Sequence, residues 1–257
     1  MLLIVLGLFP AVSQAAPEPG VIYVHTVRGN TTSSGGQNAT APQLVTQAAM
    51  FAATGQQLSV PLKNPLVLVL SNGAALALPE GGQLKLEEFT QEPVNDTAKV
   101  REEEPTRSTI RLNLAAGALV LAGRTPVPTS NLTITTPLAQ LRCLAKSVVI
   151  VADANALTVT VFDGTVNLSV AGTGFSETLQ TGQTATLARA ALGEKYPLKL
   201  SRITATQEHD FGVWLDLARW AGARVDFARA DNQLRPRQVA PETFTQQMSM
   251  DDPRYRP

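Results

Sequence analysis

The sequence predicts an all-β fold with one C-terminal helix. The β part is expected to be an antiparallel two-sheet sandwich or a short β-solenoid of about ten to twelve strands. Short apolar runs that alternate with polar residues recur between about residues 45 and 190. Glycine, asparagine and proline separate these runs, as reverse turns require. A helical period of apolar residues appears only after residue 192. Strands that alternate with helices are therefore not expected, which argues against a doubly wound α/β fold.

The composition excludes several classes of protein. The chain has 257 residues with 21 Lys plus Arg and 21 Asp plus Glu, so its formal net charge is zero. A nucleic-acid binder normally carries a basic excess. The single cysteine, Cys143, rules out an internal disulfide and multi-cysteine metal sites, and two histidines are too few for a three-histidine zinc centre. We therefore expect no cofactor, no metal site and no nucleic-acid partner.

The N-terminal residues have the pattern of an export signal. Residues 1–9 read MLLIVLGLF, and the small-x-small step Ser13-Gln14-Ala15 follows Pro10. This pattern predicts a secretory signal peptide over residues 1–15, although a basic start is missing. The apolar run is too short to span a bilayer, which needs about 20 residues. The alternative is a short buried strand or helix of the mature domain. We expect a periplasmic or secreted protein without stable membrane insertion.

Residues 16–42 and 43–190 differ sharply in composition. The first segment is rich in Gly, Ser, Thr, Asn and Pro and predicts a flexible linker, with one edge strand conceivable at residues 21–24. The second predicts the β domain. Asn72-Gly73 stands between two apolar runs, which predicts a type I′ hairpin turn. Asp163-Gly164 predicts a second hairpin turn by the same signal. On both sides of Asp163-Gly164 apolar residues alternate with polar ones, which places one face of each strand in a core.

A charged segment interrupts the β domain at residues 90–108. It contains Glu102-Glu103-Glu104 and two prolines, and it predicts a long polar loop between two β blocks. The glutamates are interpreted as a solvated cluster, because like charges without partner spacing are poor candidates for chemistry. The alternative is a cation or carboxylate site.

The residues after 190 predict a helical extension and a tail. Phe211, Trp214, Leu217, Ala218 and Ala221 follow a helical period within residues 208–230, which predicts an amphipathic helix of about three turns in the extension 191–231. Gly222 is the expected C-cap. Residues 232–257 are expected to be disordered.

Both tryptophans of the chain, Trp214 and Trp220, lie in this helix. The helix is interpreted either as packed on the β domain or as a docking surface for a partner. Both tryptophans are therefore candidate partner contacts.

No catalytic constellation is present in the sequence. There is no nucleophile elbow, phosphate loop, zinc-protease motif or dinucleotide fingerprint. Cys143 stands between Leu141 and Leu144 with Arg142, which favours a buried apolar role over a reactive thiol. We expect a protein that is not an enzyme.

Residues 134–170 and 177–187 together resemble the FecR domain. The resemblance rests on the Thr136-Pro137 step, on Gly164 as the hairpin glycine and on the closing turn Gly182-Gln183. It extends over about residues 45–190. Where the family has Arg-Gly-Thr, this chain has Arg142-Cys143-Leu144, so a tight turn there is expected to become a straight strand.

The resemblance implies a non-enzymatic function. FecR-like proteins of iron-uptake signalling pass a signal from an outer-membrane receptor to a cytoplasmic sigma factor. This chain would keep only the extracytoplasmic β module, without the membrane helix and the anti-sigma segment. The resemblance makes Pro137, Gly164 and Gly182 structural turns and Arg142 a candidate contact. The Asn-Gly and Asp-Gly steps add Asn72, Gly73 and Asp163 to the structural turns.

Two functions from different classes remain open. The first is a binding or signal-sensing module that recognises an envelope protein or a cell-wall glycan through sheet edges or a sheet face. The second is a structural envelope protein that self-associates through its β edges into a homo-oligomer.

Overall fold

The computed structural model describes residues 16–35, 41–79, 81–94, 103–189, 197–231 and 233–239. In these ranges the chain forms eighteen β-strands and one α-helix, which confirms an all-β fold with one C-terminal helix. Sixteen strands belong to one continuous hydrogen-bonded sheet, and the last two form a separate hairpin. The predicted signal peptide, residues 1–15, lies outside the described residues. No helix in the described ranges is long and apolar enough to cross a membrane.

The first nine strands lie before the charged segment. They are β1 (Glu18–Pro19), β2 (Val21–Val27), β3 (Thr32–Gly35), β4 (Gln43–Leu44), β5 (Met50–Ala52), β6 (Gln56–Ser59), β7 (Leu66–Leu70), β8 (Ala75–Leu78) and β9 (Gln83–Gln91). The remaining elements are β10 (Ser108–Ala122), β11 (Asn131–Thr135), β12 (Ala139–Ala152), β13 (Ala156–Val170), β14 (Ser176–Gln180), β15 (Gln183–Ala188), β16 (Leu198–Arg202), α1 (Ala205–Arg224), β17 (Val225–Ala230) and β18 (Gln233–Gln238).

Three long strands, β10, β12 and β13, change partners along their length and divide the sheet into two layers. The first half of β10 pairs with β9 and β11, whereas its second half pairs with β8 and β12. In the same way β13 pairs first with β15 and then with β14. Inward side chains of both layers form one continuous aliphatic core. The folded sheet is therefore a two-layer sandwich whose layers share strands.

The two layers differ in what lies on their outer faces. The helix-covered layer contains β2, β5, β7, β8, β15, β16, the second halves of β10 and β12 and the first half of β13. The open layer contains β6, β9, β11, β14 and the other halves of the three long strands. In the open layer, burial alternates along β9 and the first half of β12, as expected for a sheet with one solvated face.

The prediction of a hairpin turn at Asp163-Gly164 is wrong. Asp163-Gly164 does not form a hairpin turn, because β13 runs without a break through both residues. The register with β12 shifts there, and Gly164 has a φ of +105°. A Cβ on Gly164 would stand 2.5 Å from the Cα of Ala145. The glycine thus permits a bulge at a close crossing rather than a chain reversal.

The Asn72-Gly73 hairpin exists, but its loop differs from the predicted type I′ turn. Only Gly73 has a positive φ, of +85°. The Gly73 amide donates to the Leu70 carbonyl, and the Leu70 amide donates to the Ala74 carbonyl. This pattern is typical of a three-residue loop closed by a left-handed glycine. The Asn72 side chain is buried and hydrogen bonded, so Asn72 is held by tertiary contacts and not by the left-handed backbone that a type I′ turn requires.

The helix packs on the outer face of the helix-covered layer. Leu215, Ala218 and Ala221 of α1 are buried against outward side chains of β7, β8, β10 and β12. The helix begins at a capping box formed by Thr204 and Gln207. Gly222 is not the C-cap, since the helix continues to Arg224. A Cβ on Gly222 would lie 3.5 Å from the Ala75 Cβ, so this glycine sits where the helix approaches the sheet closely.

Two segments predicted to lack structure contain strands. β2 lies inside the predicted linker 16–42, yet it pairs with both β5 and β7, and Ile22 and Val24 are fully buried. The predicted disordered tail contributes β18, which pairs with β17 and buries Leu234. The strand named at residues 21–24 therefore exists, but it has a neighbour on each side and is not an edge strand. β18 acquires its stability from pairing with β17 and from the burial of Leu234. Residues 240–257 lie outside the described ranges.

We predict that Gly164→Ala destabilises the fold far more than Gly182→Ala. Both glycines have a positive φ, but only a Cβ at position 164 collides with backbone, while nothing lies within 4 Å of one at position 182. Backbone strain costs roughly 1–3 kcal/mol in either variant, and overpacking adds about as much again at position 164. Urea denaturation of the two variants measures the difference. Equal losses would contradict the role of Gly164 at the layer crossing.

Candidate functional site

The residues singled out from the sequence lie at separate places in the fold. Gly73 is in the β7–β8 loop, Pro137 lies between β11 and β12, and Gly182 lies between β14 and β15. Arg142 is in the middle of β12, in the straight strand expected there. The turn residues therefore serve the scaffold. Arg142 lies on an exposed sheet face, which is the candidate site.

Arg142 belongs to a row of polar side chains that crosses the open layer. In an antiparallel or parallel pair, directly opposed residues point to the same face. The strand registers therefore place six outward residues side by side, one on each of six neighbouring strands. We call this set the central row: Glu88, Arg111, Thr133, Arg142, Asn167 and Thr178.

Side-chain contacts confirm this alignment. Arg111 Nε lies 3.1 Å from Glu88 Oε2, and Thr178 Oγ1 donates to Asn167 Oδ1 over 2.8 Å. Arg142 is exposed, and it has no ion pair among the described residues. The row thus presents one unpaired guanidinium between hydroxyl and amide groups.

A second row runs parallel to the central row on the same face. Its members are polar and outward-facing: Lys85, Asn113, Thr135, Gln140, Ser169 and Ser176. The two rows together are called the polar face. Leu144 is the one large exposed apolar side chain of β12 beside it, with 38% exposure. The two rows carry three cations and one carboxylate, and exposed Glu87 beside them on β9 adds a second carboxylate, which leaves a positive excess of one.

A shallow cleft continues the polar face at one edge. It has a volume of about 300 Å³ and is lined by Thr90, Thr109, Glu92 and Arg107 together with Ala16 and Pro17. Thr90 and Thr109 are opposed in the β9–β10 register. Arg107 and Glu92 form an ion pair at 3.5 Å on its wall. The polar face therefore ends in a concave region that also carries hydroxyl groups.

The burial of Glu104 contradicts the prediction of a solvated glutamate cluster. Glu102 lies outside the described residues and Glu103 is exposed, but the Glu104 carboxylate is largely buried at one end of the sandwich. Asn72 Nδ2 donates to Glu104 Oε1 at 2.8 Å, Ser108 Oγ donates to the same oxygen at 3.2 Å, and the Val127 amide donates to Oε2 at 3.2 Å. Burial raises the pKa of Glu104, although these hydrogen bonds oppose the shift.

The Glu104 network is structural in character. It joins the β7–β8 loop, the start of β10 and the loop before β11, because Asn72, Ser108 and Val127 come from these three segments. A cavity of about 20 Å³ beside it, lined in part by Cys143, has room for about one water molecule. Burial raises the pKa of the Cys143 thiol to about 12, so this thiol stays protonated and unreactive at neutral pH.

Both tryptophans make contacts within the protein itself. Trp214 is partly buried against the apolar cluster between α1 and the sheet. The Trp220 ring meets His25 of β2 edge-on, with ring centroids 5.1 Å apart, and the Arg224 guanidinium lies 4.2 Å above the Trp220 centroid. These contacts show that the helix packs on its own β domain. Burial, and secondarily the charge of Arg224, lowers the pKa of His25.

Ion pairs fasten the C-terminal hairpin to the β domain. Arg124 Nη2 lies 3.2 Å from Asp226 Oδ1, and the Arg124 side chain is only 10% exposed. Arg229 pairs with Glu18 of β1. Within the described ranges no three His, Cys, Asp or Glu side chains cluster closely enough to hold a metal ion.

Sequence reasoning found Arg142 but missed the rest of the polar face. The signal for the other members is the set of outward positions in β10, β11 and β13, each of which alternates with buried aliphatic residues. Alternation shows that such a residue faces outward, but only the strand registers show that Arg111, Thr133 and Asn167 lie beside Arg142. Glu104 was missed because its partner Asn72 is 32 residues away.

We predict that Glu104→Ala lowers the free energy of unfolding by about 1–3 kcal/mol, because it removes the acceptor of the Val127 amide and one of the two acceptors of the buried Asn72 amide. Glu103→Ala is the matched control, and this exposed neighbour should change stability by less than about 0.5 kcal/mol. Thermal and chemical denaturation measure both. A Glu104→Ala protein as stable as the Glu103→Ala protein would refute the structural role.

We predict that His25 makes stability depend on pH below its usual pKa of about 6.5. Because the folded pKa is lowered, the unfolded chain binds more protons in this window, and stability falls as the pH drops from 6.5 toward the folded value. His25→Phe keeps an aromatic ring against Trp220 and removes the titrating group. Its free energy of unfolding should change less than that of the parent between pH 7 and pH 5.5. Identical pH profiles would count against this assignment.

Comparison with known proteins gives limited similarity. No family model matches the chain, and no curated protein matches it. Two crystal structures of a candidate anti-sigma factor from Parabacteroides distasonis ATCC 8503 are similar in structure. One has 10% sequence identity and a TM-score of 0.42, and the other has 9% and 0.41. Each match covers 72% of this chain and 99% of the other.

Proposed function

We propose that this protein is a non-catalytic, FecR-like binding module that acts outside the cytoplasm. In this proposal the polar face contacts a macromolecule of the cell envelope. The observation that carries the proposal is the exposed Arg142 guanidinium, which has no ion pair among the described residues and lies between the hydroxyl and amide groups of the central row.

The groups that could carry catalysis support a binding role instead. Cys143 is buried and protonated, Glu104 is engaged by three donors, and the His25 ring packs against Trp220. Each of these titratable groups has a packing partner that explains its position. None of them lies on the polar face, whose two rows consist of arginine, lysine, glutamate and neutral polar side chains.

Features of β16 favour a binding module over a self-associating envelope protein. Among the described residues β16 pairs only with β15, so its other edge is free. That edge strand is short and carries the exposed Lys199 and Arg202. Charged side chains on short edge strands oppose edge-to-edge pairing. Leu200, 49% exposed, stands between Lys199 and Ser201, with Arg202 two residues further on.

We predict that Arg142→Glu abolishes retention of the envelope ligand while the fold is kept. The control is Arg235→Glu, which makes the same charge change at an exposed arginine of β18. Immobilised parent, Arg142→Glu and Arg235→Glu proteins are incubated with the envelope fraction of the producing cells, and retained polymer and protein are measured. The parent and the Arg235→Glu variant should retain the same material. Equal retention by all three proteins would refute the polar face as the contact surface.

A further inference from the structure

We propose that the ligand of the polar face is an acidic polysaccharide, whose chain lies across the strands along the central row with a carboxylate at Arg142. This inference rests on the proposed function and names the ligand class for the same surface. Three properties of the face support it: the spacing of its groups, its charge, and the near absence of apolar side chains.

The first property is a regular line of hydrogen-bonding groups. Neighbouring strands in a sheet are about 4.7–4.9 Å apart, so the central row offers one polar side chain per step of that size. This step is close to the length of one sugar unit in an extended polysaccharide. Thr133 and Asn167 flank Arg142 in the register, and Thr178 follows Asn167. Hydroxyl and amide groups both donate and accept, as sugar hydroxyls require.

The second property is the charge of the face. Glu88 is the only carboxylate of the two rows, and that group is already paired with Arg111 at 3.1 Å. Exposed Glu87 lies beside it at the register shift of β9, so Arg142 and Lys85 together leave a positive excess of one charge. A guanidinium matches the geometry of a carboxylate through two parallel hydrogen bonds. The complementary polymer is one with carboxylate groups along a hydroxyl-rich chain.

The third property separates a polysaccharide from a protein partner. Stable protein interfaces have an apolar, aromatic-rich centre with a polar rim. The central row and the row beside it contain no aromatic and no aliphatic side chain. Leu144, at 38% exposure, lies beside the rows rather than at their centre. The whole face is polar, like the rim of a protein interface, and this composition suits contact with a hydrated polymer.

The test measures binding of defined polymers to the full chain at low salt by isothermal titration calorimetry. The probes are hyaluronan, polygalacturonate and alginate as acidic polysaccharides, dextran as the neutral one, and poly-L-glutamate as an acidic polypeptide. At least one acidic polysaccharide should bind, dextran should bind more weakly, and poly-L-glutamate should not reproduce the effect. Arg142→Gln should lower the association constant about five- to tenfold, and Arg235→Gln should leave it unchanged.

A second variant separates hydrogen bonding from bulk electrostatics. The double substitution Thr133→Val and Thr178→Val keeps every charge and the shape of both side chains but removes two hydroxyls of the central row. It should weaken binding of the acidic polysaccharide at least about threefold. Circular dichroism and thermal denaturation verify that each variant stays folded.

Two results would overturn the inference. If poly-L-glutamate binds as tightly as the acidic polysaccharides, or the double valine variant binds them like the parent, the face is only a positively charged surface. If none of the three acidic polysaccharides binds while Arg142→Glu still abolishes retention from the envelope fraction, the ligand belongs to another class and the proposed function stands. If neither polysaccharide binding nor retention depends on Arg142, both proposals fail.

Discussion

The whole structure depends on three strands that serve two layers at once. β10, β12 and β13 each pair with one set of strands in their first half and another set in their second half. Their inward side chains must therefore continue a single core across the crossing, although the strand changes direction there. A bulge with a glycine in the left-handed region meets this requirement, because it absorbs the extra residue without a side chain at the point of closest approach. Gly117, with a φ of +94°, stands at the corresponding point of β10, where a Cβ would meet the Gly82 backbone at 2.6 Å. The two layers therefore share one continuous core.

The helix follows from the same arrangement. One layer has strands that are apolar on both faces, and an uncovered second face would expose a large aliphatic surface to water. The helix α1 and the hairpin β17–β18 cover that face, with Leu215, Ala218 and Phe227 in the interface. Trp220 packs against His25, and the nearly buried Arg124 pairs with Asp226, so polar contacts fix the position of an interface whose stability comes from apolar burial. The covering of one layer leaves the other layer as the face that is open to a ligand.

Burial sorts the charged groups of this protein into two kinds. Glu104 is desolvated, so several donors must compensate its charge, and its pKa rises even so. Removal of one partner there is expensive, which makes the network a structural feature. The Arg142 guanidinium is solvated, so it carries no desolvation penalty when it is unpaired in the free protein. An exposed charge without an intramolecular partner keeps its full hydrogen-bonding capacity for a ligand. Charged side chains thus stabilise the fold where they are buried, and they stay available to a ligand where they are exposed to solvent.

The sequence by itself determined the all-β class and the C-terminal helix, because periodicity of two or of 3.6 is a local property of the chain. It also predicted that Cys143 is buried between apolar neighbours, and in a strand this places the adjacent Arg142 on the opposite face. Only the tertiary structure decided that Asp163-Gly164 bridges two layers instead of reversing the chain, because a glycine next to an aspartate permits either geometry. Continuous apolar runs such as residues 66–70 indicate a strand buried on both faces, but they do not name the element that covers it. The polar face and the Glu104 network likewise depend on strand registers and on contacts between residues far apart in the chain, which no local pattern contains.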